Sequence, residues 1–122
     1  MTRLVAVAAC FAAVLSSIAP VQAANEAPMT NQPIVIFAYG DSLTAGYGLP
    51  PTDAFPSKLQ AKLREKGYNV TIVNGGVSGD TTQNGVARLD WSLPKNADAA
   101  IVEFGANDAF QGVDTDTVKS NL

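Results

Sequence analysis

IVIFAYGDSLTAG, residues 34–46, sets an unbroken apolar run directly against Gly40, Asp41 and Ser42. Ile34, Val35, Ile36, Phe37 and Ala38 show no polar alternation, and their bulk is β-branched and aromatic. That pattern predicts a strand buried on both faces, as in a parallel sheet covered by helices. Gly40 then predicts a tight turn that places Ser42 at the mouth of the sheet.

Downstream the pattern repeats. Asp53 is expected to cap a helix that tolerates Pro56 in its first turn and buries Phe55, Leu59 and Leu63; Gly67 ends it. Residues 70–73 read as a second strand, followed by a glycine-rich turn over residues 74–79. Asp80, Thr81 and Thr82 are helix starters, with Val86 and Leu89 expected on the buried side and Pro94 as terminator. Residues 97–104, ADAAIVEF, read as the third strand, and Gly105-Ala106-Asn107-Asp108 as a turn. Asp114 or Thr115 opens a last helix with Val118 and Leu122 on one face. The order β-α-β-α-β-α implies right-handed crossovers and a doubly wound parallel sheet of flavodoxin-like, three-layer α/β/α type. In that strand order the first strand lies between the second and third.

Residues 1–23 are expected to be a cleavable secretory signal. Arg3 gives a positive start, residues 4–19 are apolar, and Val21-Gln22-Ala23 supplies a small-x-small cleavage pattern after Ala23 or Ala24. The apolar run falls short of the ~20 residues of a spanning helix. Cleavage predicts a periplasmic or secreted protein. Residues 24–33, with Pro28 and Pro33, read as a flexible mature N-terminus. Cys10 is the single cysteine, so the mature chain has no thiol for disulfides, nucleophilic catalysis or thiolate metal sites. Without Arg3, 7 basic residues face 11 acidic ones, which argues against nucleic acid as a partner. Lys58, Lys62, Arg64 and Lys66 sit at helical spacing and read as a solvated face. There is no histidine, and no metal or organic cofactor is expected.

In open α/β sheets ligands bind beyond the C-terminal strand ends, at the switch point between successive connections. Taken singly, the loops there have ordinary explanations: Ser42 could cap a turn, Gly79 could serve its backbone angles, and Asn107-Asp108 is common turn chemistry. The topology nevertheless brings all three to one place.

Gly40-Asp41-Ser42-Leu43, then Gly79 within SGDTTQNG, then Gly105-Ala106-Asn107-Asp108 resemble the first three blocks of the GDSL or SGNH hydrolases. The likeness runs from about Ile34 to Val113 and is similar in particular to the secreted bacterial acyl-CoA thioesterases, arylesterases and lysophospholipases. It implies residues 34–122 are the N-terminal part of such a domain, acting on small acyl esters or thioesters. Ser42 would be the nucleophile of an acyl-enzyme, and its own N–H, the Gly79 N–H and the Asn107 amide would form an oxyanion hole. Asp41 and Asp108 are expected to support Ser42 and Asn107 by loop hydrogen bonds. Glu103, a charge inside an apolar strand, is the oddest charged position and has no role that the sequence explains.

The resemblance also implies an Asp-x-x-His block that the 122 residues do not contain, and more strands than three. Truncation is therefore expected, with C-terminal strands and helices missing. Lys119 is the only amine near the end, and nothing in the sequence places it beside Ser42. Three other readings compete: a carbohydrate acetylesterase of the same superfamily, a secreted pseudoenzyme without its base, and a phosphate- or nucleotide-binding module. Gly46-Tyr47-Gly48 opens a G-x-G, but Pro51 stands at the third glycine position, which argues against the last. The 122 residues alone are expected to hydrolyse little p-nitrophenyl acetate; turnover that Ser42→Ala abolishes would overturn this.

Overall fold

The computed structural model describes residues 32–122. The signal segment, Cys10 and nearly all of residues 24–33 lie outside the described residues.

Three strands, β1 (Ile34–Gly40), β2 (Val70–Gly76) and β3 (Ala99–Glu103), form a parallel sheet in the order β2-β1-β3. The apolar run of β1 therefore becomes the central strand, and Phe37, Ala38 and Tyr39 are its most buried residues. Five helices connect and cover the strands: α1 (Ser42–Ala45), α2 (Phe55–Glu65), α3 (Thr82–Ser92), α4 (Ala106–Gln111) and α5 (Thr115–Asn121). Side chains alternate across β1, so α1 and α3 meet it from opposite faces. Gly40 lies under Thr44 of α1, while the Tyr39 hydroxyl donates to the Gly85 carbonyl of α3 at 2.5 Å.

Register is continuous. Ile34 pairs with Val70 and Gly40 with Gly76, while Ile36 pairs with Ala99 and Gly40 with Glu103. Below Ala99, Asp98 extends the ladder: its carboxylate accepts from Val35 N and its own N–H donates to Val35 O, both at 2.8 Å. This bond marks where β3 begins, two residues later than its composition suggests.

Several local expectations are corrected. Asp53 does not cap α2; Ala54 holds that position without a side-chain bond. Pro50 and Pro51 nucleate a 3-10 turn, Pro51–Asp53, one step earlier, and Asp53 instead pairs with Lys58 at 2.6 Å. Val86 and Leu89 are 49% and 41% exposed. The buried stripe of α3 is Thr82, Gly85 and Arg88, because the sheet offers α3 a phenol to accept from and carbonyls to donate to. Val86 and Leu89 instead line an apolar groove with Val102, Phe104 and Leu122. Val118 of α5 is half-buried as expected, whereas Leu122 is exposed.

Tyr39 anchors the α3 face. Its ring packs on Phe37 at 5.0 Å and edge-on to Phe104 at 5.2 Å. Burial pushes its phenol above the usual range, although the neighbouring Arg88 guanidinium pulls the other way.

Gly40 is demanded by crowding. A methyl group there would meet Thr44 Oγ1 and, at 2.5 Å, the Glu103 backbone oxygen. One neighbour is backbone and cannot rotate away. Gly40→Ala is expected to cost about 1–3 kcal/mol, read as a lower urea midpoint at unchanged m-value; an unchanged midpoint would contradict this packing.

Candidate active site

Gly40, Gly76 and Glu103 stand level across the C-terminal edge of the sheet. The three loops carrying Ser42, Gly79 and Asn107 leave from this one line.

The first loop is the shortest. Asp41, fully buried, is the N-cap of α1, and its Oδ1 accepts from Leu43 N at 2.9 Å. Ser42 is the first residue of that single turn, so its N–H has no partner within the helix. Its carbonyl accepts from Gly46 N and Tyr47 N, both at 3.0 Å, and Gly46 closes the turn in the left-handed region. Ser42 is thus fixed by its backbone on both sides, with its side chain half-exposed. Among the described residues, none shares a hydrogen bond with Ser42 Oγ; Lys119, on α5, makes none either.

The second loop turns back at once. Val77 N donates to Gly40 O at 2.9 Å, tying the end of β2 to the end of β1, and Asp80 N donates to Val77 O at 3.2 Å. Gly79 sits exposed at the tip with φ +92° and nothing within 4 Å of where a Cβ would be. Glycine is required there by the backbone angle, and the space beside its Cα is open. Thr81 then starts α3 in a capping box with Asn84.

The third loop is not the expected turn. Asn107 and Asp108 lie in the first turn of α4, opened by Gly105 at φ +124° and closed by Gly112 at φ +67°. Helical geometry sends their side chains in different directions. Asn107 Nδ2 donates to Asp80 O at 2.8 Å and to Asp41 Oδ2 at 3.2 Å. One carboxamide therefore bridges the serine loop and the glycine loop. Asp108, 1% exposed, turns to α3 and accepts from Thr82 N at 2.9 Å and Thr82 Oγ1 at 2.6 Å. Asp41 thus does hold Asn107, whereas Asp108 holds the start of α3. Glu103 also finds a partner: its Oε2 accepts from the buried Thr44 hydroxyl at 3.0 Å, a further tie between β3 and α1.

Two members escaped the sequence reading. Thr44 and Arg88 are both buried and both contact the loop bases. The polar spacing Thr82, Gly85, Arg88 was a signal for the true inner face of α3, but Val86 and Leu89 outweighed it. The arrangement offers an accessible hydroxyl beside backbone and carboxamide N–H donors in a setting rich in buried carboxylates. Among the described residues, no group of three His, Cys, Asp or Glu could hold a metal ion.

Residues 38–122 match the model of the GDSL-like Lipase/Acylhydrolase family. The chain is 44% identical over 88 residues to a Vibrio mimicus protein named arylesterase, covering 71% of this chain and 44% of that one. It is 37% identical over 84 residues to the Escherichia coli K12 protein named thioesterase 1/protease 1/lysophospholipase L1, covering 68% and 39%. Among solved structures, the SGNH-hydrolase family esterase AlinE4 superimposes with a TM-score of 0.70 at 44% identity, over 74% of this chain and 49% of that one. The chain spans less than half the length of these relatives.

Asp108→Ala removes both acceptors from the Thr82 N–H and hydroxyl in a buried position. It is expected to destabilise the fold by about 1.5–3 kcal/mol, the range for hydrogen bonds to a charged group. Chemical denaturation measures this, and a loss below about 0.5 kcal/mol, the floor for an ordinary hydrogen bond, would contradict it.

Proposed function

The chain belongs to the GDSL-like lipase/acylhydrolase family, and from that membership we propose that the protein hydrolyses carboxylic esters and thioesters through an acyl-enzyme on Ser42. The observation that carries this reading is the Asn107 carboxamide, which gathers the Ser42 and Gly79 loops around one accessible hydroxyl.

In the proposed reaction Ser42 Oγ attacks the substrate carbonyl carbon while its proton passes to a base. The carbonyl oxygen becomes an oxyanion, accepted by the N–H groups of Ser42 and Gly79 and by the Asn107 amide. Collapse expels an alcohol or thiol, and water then releases the acyl group from Ser42 by the same route. The Asn107 N–H that turns to the oxyanion is the one held at the longer distance by Asp41; the shorter bond to Asp80 O keeps the side chain in place. An imidazole base would have to come from outside these 122 residues, which contain no histidine.

Leu43 within α1 and Tyr47 just beyond it, both exposed, offer apolar surface to the acyl chain of a small-molecule substrate. The N-terminal signal pattern supports export, with action in the periplasm or outside the cell. Among the described residues no helix is long and apolar enough to cross a membrane.

In the full-length protein, Ser42→Ala is expected to abolish hydrolysis of p-nitrophenyl acetate and acyl-CoA. Asn107→Ala is expected to lower kcat by ~10²–10³ with KM little changed, as for loss of one oxyanion donor. Residual turnover in Ser42→Ala at the wild-type rate would remove Ser42 from the mechanism.

A further inference from the structure

Arg88, itself buried, is the cation of the least exposed ion pair among the described residues, and it lies under the loops that meet at Ser42. We propose that Arg88 is a positioning residue for the reaction, whose guanidinium sets the serine, glycine and asparagine loops relative to one another. The inference rests on the reading of Ser42 as nucleophile and deepens it.

The contacts are specific. Nη2 donates to Gly40 O at 3.0 Å and to Gly75 O at 2.9 Å, the last carbonyl of β1 and the last but one of β2, where the first two loops leave the sheet. Gly40 is two residues from Ser42, and its carbonyl also receives Val77 N at the start of the Gly79 loop. Nε donates to Asp80 Oδ2 at 2.6 Å. Asp80 follows Gly79 directly, and its carbonyl is the nearer acceptor of the Asn107 amide. Through these bonds one planar group touches the base of the serine loop, the far side of the glycine loop and, by one intermediary, the asparagine.

The guanidinium itself cannot drift. Its carbon lies 4.2 Å from the Tyr39 ring centre and 5.9 Å from that of Phe104, while Nη1 reaches Ser92 Oγ at 3.4 Å. Tyr39 lies in β1 and Phe104 directly follows β3, so the ring slot holds Arg88 against the first strand again and against the end of the third. Cations over aromatic faces are attracted to them.

Stability is a poor explanation for this residue. Taking a carboxylate and a guanidinium out of water costs about as much as their attraction returns, so a hydrophobic stripe would serve packing as well. What an apolar residue cannot supply is donors in a rigid fork aimed at two carbonyls and a carboxylate. Lysine keeps the charge but not the fork. Misplacing the donors weakens their hold on the oxyanion, whose charge appears only once the carbonyl is attacked and is absent from the bound substrate. The penalty should therefore fall on kcat.

The test uses the full-length protein, with kcat expressed per serine titrated by a fluorophosphonate, for Arg88→Lys and for Asp80→Asn. The second variant keeps shape and the Asp80 carbonyl, and it decides the matter if the first does not fold. Each is expected to lose at least about tenfold in kcat with KM within about twofold, a smaller loss than the ~10²–10³ of deleting a donor. Wild-type kcat per titrated serine in folded variants, with only a lower unfolding midpoint, would overturn the proposal; so would a rise in KM alone. Ser42→Ala run in parallel separates the two failures. Activity surviving in that variant sinks the nucleophile reading, whereas activity lost there and intact in Asp80→Asn sinks only the role of Arg88.

Discussion

The alignment of Gly40 with Gly76 on one side and Glu103 on the other is the constraint on which this molecule depends. A parallel sheet has a single C-terminal edge, and a slip of one residue would send every side chain of a strand to the opposite face. Here the register places the last residue of each strand at one height. Ser42, Gly79 and Asn107 need only two, three and four residues to reach common ground. Short loops hold their residues with little freedom, and the bonds from Val77 to Gly40 and from Asn107 to Asp80 remove more of it.

The ground beneath that edge is polar. Asp41, Thr44, Thr82, Arg88 and Asp108 are all buried, yet among the described residues no buried side-chain nitrogen or oxygen lacks a partner. Such a network is costly when half made and specific when complete. Each bond crosses between elements far apart in sequence: Thr44 to Glu103, Thr82 to Asp108, Asn107 to Asp41. The apolar core of β1 holds the sheet together, while these bonds set the angles at which the loops leave it.

How much of this was legible beforehand depended on the kind of signal. The unbroken run in β1 foretold a strand covered on both faces, and alternation of strand and helix foretold the parallel order with β1 in the centre. Gly67, Thr81 and Asp114 declared helix ends because their chemistry is local. Asp53 misled because two prolines upstream used it first. Val86 and Leu89 misled because apolar spacing says which face of a helix could be buried, not which face the sheet asks for. The partners of Arg88 were hidden for a stronger reason: two of them are backbone carbonyls, which every residue possesses and no sequence pattern marks. Ser42, Gly79 and Asn107 stood out by residue type, and Asp41 and Asp108 as their supports, whereas the crossing of partners, Asp41 to Asn107 and Asp108 to Thr82, emerged only with the fold.

The Asn107 amide has a further meaning. In the resting molecule both of its N–H groups are occupied, one by a peptide oxygen and one by a carboxylate. In the role proposed for it, an arriving acceptor must compete with the charge on Asp41. A neutral carbonyl is a weak competitor; an oxygen that has just taken on negative charge is a strong one. In that proposed role the bond to Asp41 would act as a threshold, giving up its N–H to the charged oxygen formed on attack rather than to the neutral carbonyl. Discrimination of that kind lowers the barrier without tightening the hold on substrate.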